Sequence, residues 1–387
     1  MTRTHPSNAE GFDQSFDALT MPVYRASTVV FGSTREFLSR RSRLYDGFSY
    51  GLYGTPTTRE LEVRVAAIEG GTRSLVVPSG LAAMTAPILS LVQKGQEVLV
   101  ADCVYGPTRD FCVAAEARFG MRTRFIAADA GSLLGHISSQ TRLVILESPG
   151  SYTMEIQDID MICREAHGVG ALVMVDNTWG FGSSNLFEHG VDIVSTALSK
   201  YGAAHSDVCM GSITVRDEAL YRALKDGVTG LGMGVSSDDA YLVARGLETL
   251  DVRLTEHARR GLAVSRWLRQ QIGVETVMYP GDPNDVQHGQ FRRYFRRANG
   301  LVSFIPVVQD LALLEQALDS MVLFRLGASW GGTSSLVAIN KLDAARSISR
   351  QYAQHYIIRL HIGLEDEGSI MSDLQQALAR IDPTPRP

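Results

Sequence analysis

Apolar and polar positions along this chain follow two periods, and the two trade places repeatedly. After the punctuation Gly51-Leu-Tyr-Gly-Thr-Pro-Thr57, the residues Leu61, Val65 and Ile68 recur at helical spacing, with Thr57-Thr-Arg-Glu60 reading as a capping box and Gly70-Gly71 as the stop. Ser74–Val77 then reads as a short buried strand. Pro78-Ser-Gly-Leu-Ala-Ala-Met84 turns it into a helix that reaches about Gln93. Strands are expected near Glu97–Ala101, Arg124–Ala127, Leu143–Glu147, Leu172–Asp176, Ile193–Ala197 and Gly211–Val215, with helices after Pro107 and over Ile159–His167. Strands this apolar leave no face for water, so the pattern predicts an α/β fold whose central, mainly parallel sheet is covered on both sides by helices.

The second half changes character. Gly230-Leu-Gly-Met-Gly234 reads as a flexible connection, and helical periodicity from about Asp239 to Gln271 leads into a smaller α+β lobe. Its strands are expected over Leu301–Pro306 and Ile357–Ile362, and its closing helix packs Ile370, Leu374, Leu378 and Ile381. In the second strand Ile358, Leu360 and Ile362 share one face, which leaves Arg359 and His361 on the other. Residues 1–52 have too little periodicity for a domain and read as an arm lying on a neighbouring subunit. The expected organisation is therefore the arm, a larger domain over 53–246 and a C-terminal domain over 247–387.

Composition narrows the function. A chain of 387 residues with 45% hydrophobic content can bury a large core in two lobes. Its 37 basic and 42 acidic residues leave no basic excess, which argues against nucleic acid as a partner. Cys103, Cys112, Cys163 and Cys209 have no ligand-like spacing, so no metal site is expected and the thiols are read as reduced. No stretch approaches the roughly 18 apolar residues of a membrane helix, and the first ten residues lack a signal-peptide core. A cytoplasmic location and no membrane partner are the expectation.

In a parallel sheet, ligands gather at the carboxyl ends of the strands. Ser79, Tyr105, Asp176 and Lys200 all fall at or just past such ends. An acid closing one apolar strand and a lysine just beyond the next suit pyridoxal 5′-phosphate. Its aldehyde condenses with a lysine amine, and its ring nitrogen needs an anion beside it to stay protonated. The turn Pro78-Ser-Gly80 before a helix offers free N–H groups to a phosphate. Taken singly, a surface lysine, a capping aspartate and an ordinary helix start fit these positions as well.

The set of motifs is more specific than its members. Tyr50…Gly54-Thr-Pro-Thr57, Pro78-Ser-Gly80, Val104-Tyr-Gly-Pro107, Leu146-Glu-Ser-Pro149, Val175-Asp-Asn-Thr-Trp179, Ser199-Lys-Tyr201…His205-Ser-Asp207, Ser329-Trp-Gly-Gly332 and Ile358-Arg-Leu-His-Ile-Gly-Leu-Glu-Asp366 occur in order. Together they resemble the pyridoxal-phosphate enzymes of cysteine and methionine metabolism, in their cystathionine beta-lyase branch, from Pro22 to about Ile381. The resemblance implies an aspartate-aminotransferase-like, fold type I architecture and a homotetramer built from dimers. It implies that Lys200 holds the cofactor aldehyde and later moves protons, that Asp176 pairs with the ring nitrogen and that Tyr105 stacks on the ring. Gly80 and Leu81 amides with the Ser199 hydroxyl would bind the phosphate. Tyr50 would reach in from a neighbouring subunit. Arg359 would grip the α-carboxylate of an amino-acid substrate, with Ser329 and Trp330 beside it.

Three positions depart from the family pattern. Leu52 stands where an arginine assists the phosphate, which leaves Arg59, another residue or weaker cofactor binding to make up the difference. Ala197 replaces a second phosphate-binding hydroxyl, and Ala328 replaces a tyrosine near the substrate. Ser329-Trp-Gly-Gly332 resembles the β-lyase version of its segment, so carbon–sulfur β-elimination is the expected reaction. The alternatives are γ-chemistry within the same family (cystathionine gamma-synthase, gamma-lyase or methionine gamma-lyase) and a cofactor-binding regulatory protein without turnover.

Overall fold

A computed structural model of the chain describes residues 18–343 and 346–381. The beginning of the expected arm and the Pro-rich tail lie outside the described residues. The large sheet contains β1 (Arg73–Val77), β2 (Glu97–Ala101), β3 (Arg122–Ile126), β4 (Thr141–Glu147), β5 (Leu172–Asp176), β6 (Ile193–Thr196) and β7 (Gly211–Val215). They lie in the order β1-β7-β6-β5-β4-β2-β3. Only β7 runs against its neighbours, so β1, β2, β4, β5 and β6 all end on one edge.

The apolar runs explain this arrangement. Val98–Val100, Leu143–Leu146 and Val173–Val175 are completely buried, because helices cover both faces. The helix Gly80–Leu91 packs on β1, β6 and β7, and Ile159–Gly168 packs on β5. A smaller sheet, mostly antiparallel, holds β8 (Val274–Met278), β9 (Leu301–Pro306), β10 (Arg325–Leu326), β11 (Leu336–Lys341) and β12 (Tyr356–His361) in the order β10-β11-β12-β9-β8.

Several local expectations change. The capping box is Thr55 with Thr58, not Thr57 with Glu60: Pro56, whose fixed φ suits a first helical turn, begins the helix Pro56–Glu69. Thr57 instead ties the arm down, accepting from Tyr24 N at 2.8 Å and donating to the Pro22 carbonyl at 2.8 Å. The long periodic stretch is two helices, Ser237–Leu247 and Leu250–Leu268. Arg253 marks the break, donating to the carbonyls of Gly246 and Tyr201 at 2.7 and 2.9 Å. The Gly230 connection is preceded by an amphipathic helix, Glu218–Gly230, whose Tyr221, Leu224 and Val228 are buried. Among the described residues no helix is long and apolar enough to cross a membrane, and no group of three or more side chains could hold a metal ion.

Candidate active site

Every loop that leaves the shared edge contributes to one locality. β6 ends in the turn that carries Lys200, whose Nζ donates to Ser329 Oγ at 2.9 Å and stands 5.8 Å from the Trp330 ring centre. The Ser329–Gly332 loop comes from the smaller lobe and lies directly on the lysine. Gly331, at φ +87°, makes this possible, since a β-carbon there would come within 2.9 Å of the Lys200 carbonyl carbon. His361 fixes the same loop from below. Its partner at 2.8 Å is the Gly332 carbonyl, so Nε2 carries the hydrogen, and burial keeps the ring neutral by lowering its pKa to about 3. Burial first, and then the nearby Arg359 cation, hold the Lys200 amine below the usual lysine range.

Asp176 ends β5, in register with Glu147 at the end of β4 and Ser195 in β6. Thr178 donates both its N–H, at 3.0 Å, and its hydroxyl, at 2.5 Å, to Oδ1 of Asp176. Among the described residues nothing donates to Oδ2. The Thr178 oxygen also accepts from Ala197 N at 2.8 Å, which joins the acid to the lysine turn. Burial raises the Asp176 pKa, and the Thr178 hydrogen bonds and Lys200 oppose it. Glu147 is raised as well, by burial and then by Asp176, to about 8, so the two neighbouring carboxyls favour sharing one proton.

The turn after β1 packs as a cradle. Ser79 caps the helix Gly80–Leu91 by accepting from Ala82 N at 3.0 Å, and the amides of Gly80 and Leu81 have no acceptor among the described residues. A β-carbon on Gly80 would lie 2.4 Å from the Ala197 methyl, so the turn rests on the residue that replaces the second hydroxyl. Ser199 is engaged on both sides, accepting from Met210 N at 2.9 Å and donating to Met210 O at 3.1 Å. Its oxygen would need to turn its proton away from Met210 to meet a phosphate.

Tyr105 stands at the start of the helix Gly106–Phe119, half exposed, with its N–H donated to Glu147 Oε2 at 2.5 Å. Arg359 in β12 is 7% exposed rather than the surface residue an isolated strand arginine suggests. Its guanidinium carbon lies 4.7 Å from the Tyr152 ring centre, and among the described residues it has no hydrogen-bond acceptor and no carboxylate at ion-pair distance.

Tyr50 is exposed; its backbone bridges Thr28 and its ring meets Tyr53 edge-on at 6.3 Å. None of these contacts is to another candidate. Arg59 does not stand free to replace the missing arginine. It pairs with Glu62 at 3.0 Å and donates to the Tyr221 hydroxyl and to the carbonyls of Leu44 and Tyr53.

Sequence reasoning passed over Glu147, Tyr152 and Thr178 as working residues. Glu147 was legible by the rule that found Asp176, an acid closing an apolar strand. Nothing in the sequence signals that Tyr152 adopts a left-handed backbone.

The arrangement fits pyridoxal 5′-phosphate. Among the described residues it offers two unclaimed amides in a cradle, an acid with one oxygen undonated, a half-buried lysine without a carboxylate partner and an exposed ring on the same rim. A family model described as "Cys/Met metabolism PLP-dependent enzyme" matches residues 4–379. The cystathionine beta-lyase MetC of Escherichia coli (strain K12) is 34% identical, over 94% of this chain and 94% of its own. A cystathionine gamma-lyase of Sus scrofa is 35% identical, over 88% of this chain and 85% of its own. The solved cystathionine gamma synthase of Xanthomonas oryzae pv. oryzae, in complex with aminoacrylate and cysteine, superposes with a TM-score of 0.87 at 26% identity, covering 96% of this chain and 95% of that one. On these grounds the chain belongs to the pyridoxal-phosphate-dependent enzymes of cysteine and methionine metabolism.

Proposed function

We propose that this enzyme is a carbon–sulfur β-lyase that takes cystathionine, or a related S-substituted cysteine, and one water to a thiol, pyruvate and ammonia. The observation that carries the reading is the 2.9 Å contact from Lys200 Nζ to Ser329 Oγ, with Trp330 beside it. It sets the segment in which this sequence resembles β-lyases rather than γ-enzymes directly on the reactive amine. Overall identity does not choose between the two, since relatives named for β- and γ-chemistry are 34% and 35% identical to this chain.

When bound, pyridoxal 5′-phosphate supplies an aldehyde carbon that condenses with amines and a protonated ring that withdraws electrons from the substrate Cα. In this reading the Gly80 and Leu81 amides, with Ser199, hold its phosphate, Asp176 holds a proton on its ring nitrogen and Tyr105 covers its face. Thr178 keeps the Asp176 carboxylate aimed by occupying Oδ1. Arg359 orients an amino acid through its α-carboxylate, with two parallel donors fixing direction as well as charge. Lys200, favoured as the neutral amine by burial and by Arg359, takes the proton from Cα and delivers one to the departing sulfur. Trp330 and Ser329 line the side on which that sulfur leaves. The oligomer, Tyr50 donated by a neighbouring subunit, the cytoplasmic location and the three-part division at 52/53 and 246/247 belong to the same proposal.

The test is the keto acid released from cystathionine and from a panel of S-substituted cysteines by the cofactor-loaded enzyme. Pyruvate is expected. 2-Oxobutyrate from cystathionine would replace the proposal with γ-elimination, and a coloured protein that releases neither acid would make it a binding protein.

A further inference from the structure

The loop after β4 holds Tyr152 at φ +67°, a left-handed conformation that bulky side chains disfavour. The conformation is fixed from several sides. Ser151 N donates to Cys103 O at 3.0 Å, Met154 N to Gly150 O at 3.0 Å and Gly150 N to Glu155 O at 2.9 Å. The Ser151 hydroxyl donates to Glu147 Oε1 at 2.6 Å, and Arg346 donates to the Ser151 carbonyl at 3.2 Å. What this conformation achieves is the placement of the ring against Arg359, 4.7 Å from its guanidinium carbon.

We propose that Tyr152 is a positioning residue for Arg359, holding the guanidinium by its aromatic face so that the N–H donors stay free and aimed for a substrate carboxylate. This rests on the reading of Arg359 as the carboxylate grip. The physical reason for an aromatic partner is competition. A carboxylate beside Arg359 would stabilise the buried cation but would occupy the donors the substrate needs. The face of a ring attracts a cation without offering a lone pair. Asp176 and Glu147 sit at the neighbouring strand ends, yet neither forms an ion pair with Arg359 among the described residues, so the ring is the close contact that the structure gives this guanidinium.

The experiment uses the cofactor-loaded enzyme and its Tyr152→Leu, Tyr152→Phe and Arg359→Ala variants. Binding of glycine, and of ethylamine as a carboxylate-free control, is followed by the change in cofactor absorbance. Tyr152→Leu is expected to raise the Kd for glycine about 3- to 30-fold and to leave that for ethylamine unchanged. Tyr152→Phe is expected to return the glycine value to within about twofold of the parent, since the ring and not the hydroxyl faces the cation. With a reactive cysteine conjugate the loss should fall on KM and spare kcat. Equal weakening of both ligands by Tyr152→Leu would make the residue merely structural and overturn the proposal. So would a Tyr152→Phe variant as weak as Tyr152→Leu. If Arg359→Ala binds glycine as well as the parent, the reading of Arg359 itself fails and the Tyr152 proposal falls with it. If Arg359→Ala weakens glycine binding and Tyr152→Leu does not, only the Tyr152 proposal fails.

Discussion

Replacing Asp102 by asparagine should open a strap that the smaller lobe lays across the larger one. Asp102 follows β2 and is 1% exposed, and five donors converge on it. Ser347 N and Oγ and Arg109 Nη1 reach Oδ1 at 3.0, 2.9 and 2.7 Å, while Ile348 N and Ser349 N reach Oδ2 at 2.8 and 2.9 Å. An asparagine amide can accept on one side only, so its NH2 must face either two backbone donors or Arg109 and Ser347. Arg109, only 11% exposed, loses its counter-ion whichever way the amide turns. Breaking a buried pair from one side costs about 3–5 kcal/mol. Ser347 and Ile348 are exposed and recover some of this from water, which leaves an expected cost of about 3–4 kcal/mol.

Hydrogen exchange at the amides of Ile348 and Ser349 reads this directly. Both should exchange roughly 100- to 1,000-fold faster in Asp102→Asn, with the amides of β4 unchanged. The parent should show the matching pH dependence. Burial works to raise the Asp102 pKa, but the three backbone N–H groups and Arg109 outweigh it and hold the carboxyl below its ordinary value. A depressed acid stabilises the folded form above its unfolded pKa and loses that contribution as pH falls through the folded one, so the strap should be closed at and above the ordinary carboxyl value of 3.8 and open only as pH falls below it. Exchange within threefold of the parent would refute this account of the clamp.

Two further outcomes follow from the site. Lys200→Ala should lose both the visible absorbance of bound cofactor and keto-acid release; a coloured, active variant would remove the proposed chemistry. Glu147→Gln should flatten the dependence of stability on pH. The folded protein keeps a proton on Glu147 up to about 8 while the unfolded chain releases it near 4.5, so the parent loses stability as pH rises between those values. Denaturant unfolding of the two proteins across that range checks it, and parallel curves would contradict the assignment of the proton to Glu147.

The parts of the fold that were legible share one physical cause. The middles of β2, β4 and β5, Val98–Val100, Leu143–Leu146 and Val173–Val175, are buried on both faces and apolar, and an acid at a strand end or a lysine just beyond stood out against that background. The Arg359 strand was legible as a strand, while its burial was not, because a smaller sheet that alternates faces does not reveal which polar face is covered. Thr55 and Thr57 are chemically equivalent, and only the proline between them and the arm carbonyl of Pro22 decide which one caps the helix. Tyr152 was beyond reach for a different reason. Its conformation is imposed by Cys103, Glu147, Glu155 and Arg346, which converge from both lobes, and no local signal in the Ser151-Tyr-Thr153 segment encodes it.

The distribution of charge at the rim has a consequence for what can bind there. Burial and mutual repulsion raise the neighbouring Glu147 and Asp176 carboxyls, so the pair favours a single negative charge, and only one oxygen of Asp176 is satisfied within the described residues. Arg359 has no acceptor among the described residues, and its presence helps push Lys200 toward the neutral amine. A guest that satisfies all three must bring a cationic ring nitrogen to Asp176, an anion to Arg359 and an electrophilic carbon or an acidic proton to Lys200. An amine lacking a carboxylate leaves the buried guanidinium unpaired. In the proposed reading an α-amino acid, bound together with the cofactor, would meet these demands by placing its α-carboxylate on Arg359, and the cost of a buried unpaired charge would weigh against an amine without one.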